Sequence, residues 1–214
     1  KAQELQKEFI GVSFRPITAD FSKGITPEFY QNLEKALSDI DISILVNNVG
    51  ILYTEPIDKL SSKQVCDFVV VNCVSHAMML QKFMNRLNSR SKRSAIIDIS
   101  STLALKETYV VSLYTATKVF NKFLTLGTAF AGECKNIDHL CVKPFVTATG
   151  LVKMNNASTN TSGIPEVNAF VADPSECSEG SLQCLGHTTE TYGAKKHLLY
   201  NIIMETVYSI FPTI

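Results

Sequence analysis

Tyr114 and Lys118 stand four residues apart, a spacing that puts both side chains on one face of a helix. A free phenol titrates at about 10 and is a poor acid–base group at neutral pH. An ammonium beside it favours the phenolate and is expected to pull that value toward neutrality. Ser101, which ends the run Ala95-Ile-Ile-Asp-Ile-Ser-Ser101, can hold a substrate oxygen while Tyr114 gives or takes its proton. This is equipment for moving a proton on or off an alcohol or carbonyl oxygen.

The Tyr-x-x-x-Lys spacing alone is weak, because Tyr192 and Lys196 share it. That second pair contains Gly193, follows no strand pattern and has Glu179 where a serine is needed. It reads as a turn carrying a solvated basic pair. Only the first pair has a strand, a serine, a loop and a helix in order.

The elements that must position these groups follow from hydrophobic period and punctuation. The charged stretch 1–9 reads as the tail of a surface helix, and 12–19 as a short strand ending at Asp20. Thr26-Pro27 opens a helix running to about Ile40. Ile42–Val46 is an apolar run fit for a central parallel strand, ending at Asn47-Asn48-Val49-Gly50. A long helix is expected from Ser61 to Asn88, with Asn72 and His76 inside its apolar stripe. A buried amide needs hydrogen-bond partners, and His76 reads as a satisfied core histidine. The strand 95–99, a helix from Tyr114 to about Gly132 and a strand over 137–142 follow. The polar stretch from Thr149 through Gly163 reads as a mobile loop, and Pro174-Ser175-Glu176 starts another helix. Residues 198–214 are mostly apolar and short for a membrane span; a core helix and a helix in a membrane interface both fit. Strands alternating with helices define an α/β fold with a parallel sheet covered on both faces.

At 214 residues the chain is expected to form a single domain. Its formal net charge is zero, which with the lack of a basic stripe argues against nucleic acid as a partner. The six cysteines form no Cys-x-x-Cys and read as reduced thiols. The four histidines show no metal-ligand spacing, so no metal is expected. Asn156 and Asn160 match the glycosylation pattern, but a reduced-thiol chain would not normally meet that machinery. There is no N-terminal signal peptide, and the first residue is not methionine, from which an incomplete N-terminus is expected.

Taken together these residues resemble the short-chain dehydrogenase/reductase family over nearly the whole chain. Asn47-Asn48-Val49-Gly50 is similar to that family's Asn-Asn-Ala-Gly turn, and Ser101, Tyr114 and Lys118 match its catalytic serine, tyrosine and lysine. Asn72 matches the asparagine that completes the tetrad and holds a proton-relay water. The resemblance implies a Rossmann-like doubly wound sheet and places Asp20 at the adenine amino group of a dinucleotide. It likewise implies cofactor contacts at Asn47, Val49, Gly50, Tyr114, Lys118 and Pro144, with Thr147 and Thr149 at the nicotinamide carboxamide. Phe145 stands where a glycine is usual. The Pro-Phe turn and the C-terminal segment are similar to the 17β-hydroxysteroid dehydrogenase/very-long-chain 3-oxoacyl-CoA reductase branch. That branch implies NADPH rather than NAD, an acyl-CoA or steroid ketone as substrate, and the cytosolic face of the endoplasmic reticulum membrane; without it the placement is cytoplasmic. By the same analogy, the helices of Asn72 and Tyr114 form a homodimer face.

One part of the pattern is missing. The glycine-rich turn that sets backbone N–H groups against a pyrophosphate is absent, together with the family's first two strands. The rival reading is therefore a non-catalytic remnant that keeps the fold as an interaction surface.

Overall fold

The computed structural model describes residues 2–105, 108–130, 134–151 and 169–210. Helix α1 (Ala2–Glu8) buries no residue, as its charged composition requires. Residues 12–20 are extended but pair with no strand. The strand expected there is not formed: no described strand pairs with it, and side chains hold it instead, Gln6 of α1 bonding the Val12 carbonyl and the Phe14 N–H, and Arg15 tying it to Asp39 at 2.8 Å and to the Ala36 carbonyl. Helix α2 (Pro27–Ala36) starts with proline in its first turn and ends four residues before the expected Ile40.

Four parallel strands form the sheet in the order β1 (Ile44–Asn47), β2 (Ser94–Ile99), β3 (Ile137–Val142) and β4 (Glu190–Thr191). Leu45 pairs with Ile96, which in turn pairs with His139. The two-residue β4 is too short to show a hydrophobic period.

The expected long helix is continuous but not uniform. It begins at Ser61, whose hydroxyl and backbone exchange hydrogen bonds with Gln64, and runs as α3 (Ser62–Val69). It then opens into a π-turn at Val70–Val74 before continuing as α4 (Ser75–Asn88). Helix α5 (Ser112–Phe130) carries the Tyr114–Lys118 pair. Helices α4 and α5 cover one face of the sheet, where Leu45, Leu80, Phe83, Leu87, Ile96 and Ile137 cluster. Helix α6 (Pro174–Cys184), capped by Asp173 through the Ser175 N–H, covers the other face over Ile97, Leu140 and Val142. Helices therefore lie on both faces, as in a doubly wound fold.

Only part of that second face is covered. Ile44 and Val46 of β1 remain 47% and 53% exposed, and β1 forms an open edge of the sheet. Helix α7 (Lys195–Ile210) packs with His197 and Asn201 inward. No helix among the described residues is long and apolar enough to cross a membrane. The polar stretch expected to be a mobile loop, with Asn156 and Asn160, lies mainly outside the described residues. All six cysteines are free, although only Cys141 is fully buried and Cys66 is exposed.

Candidate active site

Ser101, Tyr114 and Lys118 converge at the carboxyl ends of β1, β2 and β3, where an open parallel sheet exposes a crevice. Strand β2 ends at Ile99, and the hydroxyl of Ser100, the next residue, donates to the Lys118 carbonyl at 2.7 Å and so pins the strand end to α5. Ser101 follows, its oxygen accepting the Leu103 N–H at 3.1 Å. These three residues line a cavity of about 630 Å³ together with Gly50, Pro144, Thr147 and Thr149. Its remaining walls are largely apolar, among them Val46, Ile97, Ile99, Leu103, Leu151 and Leu182. Ile99 and Leu103 continue from the serine strand, but the α6 residue Leu182 gave no local signal in the sequence. A second cavity of about 420 Å³ adjoins at Gly50 and is lined by Asp20, Val49 and Tyr53.

Burial dominates the electrostatics. The Lys118 amine is 4% exposed and donates to the Ile99 carbonyl at 2.9 Å. Burial pulls its pKa down to about 8, a shift that the neighbouring Cys73, Cys141 and Asp98 oppose. Tyr114 goes the other way from the sequence expectation. Burial pushes its phenol up to about 12, and only the Ser101 hydroxyl pulls it back. The ammonium does not produce the lowering expected of it, because it reaches past the ring to Ile99, 5.6 Å from the ring centroid.

Asn72 is fully buried in the π-turn and lines neither cavity. Its amide accepts from the Ile51 N–H at 2.9 Å, and donates to the Ile51 carbonyl at 3.0 Å and to Thr117 Oγ1 at 3.0 Å. The side chain thus grips the backbone just after Gly50. A methyl group at Gly50 would sit 3.5 Å from both Asn72 Oδ1 and Lys118 Nζ, so the backbone there passes directly over the two functional groups. His76 is a satisfied core histidine, with Nε2 3.1 Å from the Asn47 carbonyl.

Asn47 is corrected. Its side chain turns into the core and donates to Asp98 Oδ1 at 2.7 Å, and it lines neither cavity; Asn48 faces the larger one. Asp98, 1% exposed, also accepts from Thr125 of α5 at 2.9 Å and so joins β1, β2 and α5. Its signal was a lone carboxylate inside an apolar strand. Asp20 keeps Oδ1 on the Ser22 N–H and hydroxyl, which hold its carboxyl below the usual range. Thr147 hydrogen-bonds the Phe145 carbonyl at 3.3 Å. The second Tyr–Lys pair is a turn, with Gly193 at φ 72°, but it does follow a strand, the two-residue β4; the Lys196 side chain, 36% exposed, binds Glu176 at 3.0 Å, and Tyr192 lies under Lys143.

A parallel α/β sheet with Ser, Tyr and Lys at one crevice defines a dinucleotide-dependent oxidoreductase architecture. The family profile described as short chain dehydrogenase matches residues 1–160, and the chain belongs to that family. It is 28% identical over 216 residues to the very-long-chain 3-oxoacyl-CoA reductase of Anas platyrhynchos, covering 99% of this chain and 64% of the relative. It is 29% identical over 183 residues to the inactive hydroxysteroid dehydrogenase-like protein 1 of Homo sapiens, covering 85% of this chain and 53% of the relative. The chain thus spans between about half and two thirds of the length of these relatives. The fold is shared with a short-chain dehydrogenase from Sphingobium yanoikuyae solved in complex with NADPH. The TM-score there is 0.74 at 20% identity, over 100% of this chain and 80% of that one.

Proposed function

We propose that this protein reduces a ketone to a secondary alcohol with a nicotinamide dinucleotide, NADPH in preference to NAD. The observation that carries this reading is the convergence of Ser101, Tyr114 and Lys118 on one cavity with Gly50, Thr147 and Thr149. The residues fit the nicotinamide half of such a cofactor: the Gly50 backbone leaves the close approach that a Cβ would fill, and Lys118 stands beneath it. Asp20 and Val49 in the adjoining cavity suit the adenine. When bound, the cofactor supplies a hydride. The chain's own groups handle the oxygen. Ser101 orients the substrate carbonyl, and Tyr114 donates its proton to it. A phenol held well above neutrality keeps that proton until a developing alkoxide asks for it, which favours reduction. Lys118 brings positive charge to the site, and Asn72 fixes the Ile51 backbone and Thr117 around it.

The apolar cavity walls suit an aliphatic chain, and the resemblance to 3-oxoacyl-CoA reductases supports an acyl-CoA ketone before a steroid one. The same resemblance supports placement at the cytosolic face of the endoplasmic reticulum. Phe120, Phe123 and Phe130, exposed on α5, suit a homodimer face. The second reading, a non-catalytic interaction protein, draws on the resemblance to the relative named inactive.

One assay separates them. Wild type and Tyr114→Phe are compared for NADPH oxidation with a 3-oxoacyl-CoA and for NADPH binding. We expect turnover in the wild type, a loss of at least about 100-fold in Tyr114→Phe, and binding nearly unchanged. Turnover retained by Tyr114→Phe removes Tyr114 from the role; binding without turnover in the wild type establishes the second reading.

A further inference from the structure

Helix α7 turns polar groups inward and aliphatic ones outward: His197 and Asn201 are buried, while Leu198, Leu199, Ile202 and Ile203 are exposed. A polar inner face needs partners. Most of the contacts of this face lie on two stretches, residues 145–148, which supply walls of the larger cavity, and residues 170–172, which pair with them. The Tyr200 ring stacks on Phe145 with centroids 3.8 Å and planes 16° apart, and meets Phe170 edge-on at 5.3 Å. His197 sets Nε2 3.1 Å from the Val146 carbonyl and Nδ1 3.3 Å from that of Tyr192. Lys196 Nζ donates to the Val171 carbonyl at 3.2 Å. The two stretches are tied to each other as well, with Ala148 N–H donating to Ala172 at 2.9 Å and Ala172 N–H to Val146 at 3.0 Å.

Helix α7 thus grips both ends of the excursion between β3 and α6. Phe145 and Val146 are themselves cavity walls. The Tyr200 stack restrains the Phe145 ring in that wall.

We propose that Tyr200 and His197 are positioning residues, which hold Phe145 and Val146 so that the cavity wall beside Thr147 is set for the nicotinamide and the substrate carbonyl. The proposal rests on the function proposed above. It also explains why a segment this apolar carries a histidine and a tyrosine on its inner face.

The test is amide hydrogen exchange on the full 214-residue chain, beside an NADPH fluorescence titration. In Tyr200→Ala the Ala148 and Ala172 amides should exchange about tenfold faster while the β2–β3 ladder stays protected. NADPH affinity should fall by about the same factor, and Tyr200→Phe, which keeps the stack, should match the wild type on both readings. Unchanged exchange at Ala148 and Ala172 in Tyr200→Ala overturns the proposal, as does a Tyr200→Phe as loose as the alanine variant. If Tyr200→Ala loosens the whole sheet, Lys196→Gln decides. Faster exchange at Ala172 alone supports the grip, and none overturns it. Because exchange is read without cofactor, a wild type that protects these amides yet binds no NADPH sinks the oxidoreductase reading without touching the grip.

Discussion

Lys118 shows what a functional group costs in a core. Its ammonium is taken out of water and given one carbonyl acceptor, that of Ile99. Burial depresses its pKa from 10.5 to about 8. Linkage fixes the sign: the folded state releases this proton more readily than the unfolded one. The stability conferred by the neutral amine is therefore complete above about 10.5 and is lost as pH falls toward about 8. Below that the full penalty is carried, on the order of 3 kcal/mol at about 1.4 kcal/mol per pKa unit. Lys118→Met removes the charge at every pH. Urea unfolding at pH 7 should find the variant more stable than wild type by some part of that figure, since the Ile99 carbonyl loses its donor. The gain should shrink as pH rises from 8 toward 10.5. A gain independent of pH would show that the lysine is not buried as a cation. The same substitution should abolish reduction, since site chemistry and stability pull in opposite directions here.

At the scale of elements, the π-turn is what puts Asn72 where it works. A regular helix from Ser61 to Asn88 would keep the i→i−4 ladder; the wider turn at Val70–Val74 shifts the register and seats the amide against Ile51 and Thr117. Asn72→Ala leaves the Ile51 N–H and carbonyl without that partner. The urea midpoint should drop by the equivalent of about 2–3 kcal/mol, well beyond a simple loss of side-chain contacts. A drop below about 0.5 kcal/mol would mean that water replaces the amide freely. Elements of this kind were legible in unequal measure. Strands β2 and β3 and the start of α5 could be placed within a residue or two, because an apolar run with turn residues at each end is a local signal. So could the Ser101–Tyr114–Lys118 constellation, whose members sit just past the end of β2 and in the first two turns of α5. What failed depended on distant partners. Residues 12–19 have the composition of a strand and no neighbour to pair with. The π-turn has no composition of its own. Asn47 turned inward because Asp98, fifty-one residues on, waits for it. The grip of α7 on Phe145 and Val146 joins residues that no periodicity connects.

Besides the aliphatic outer face of α7, two apolar surfaces among the described residues compete for partners. One is the edge of β1, with unpaired backbone groups and Ile44 and Val46 half exposed. The other is the outer face of α5, with Phe120, Phe123 and Phe130 exposed at 41%, 68% and 79%. They should behave differently. A strand edge is an open template that adds chains without closing, while a helix face that pairs with its own copy closes as a dimer. Sedimentation velocity over micromolar concentrations should therefore show a dimer together with larger species that grow with concentration. Ile44→Lys places a charge on the edge strand, where lysine is a natural guard, and should remove the larger species while leaving the dimer. Phe123→Glu should do the reverse, returning the dimer to monomer while the larger species persist. Neither substitution buries a charge, so each should change the unfolding free energy by no more than the roughly 0.5 kcal/mol typical of surface sites. A protein that stays monomeric at every concentration would show that neither surface is sticky enough to matter. Loss of all association in Phe123→Glu alone would mean that the edge is protected despite its exposure, and that one helical face governs the assembly.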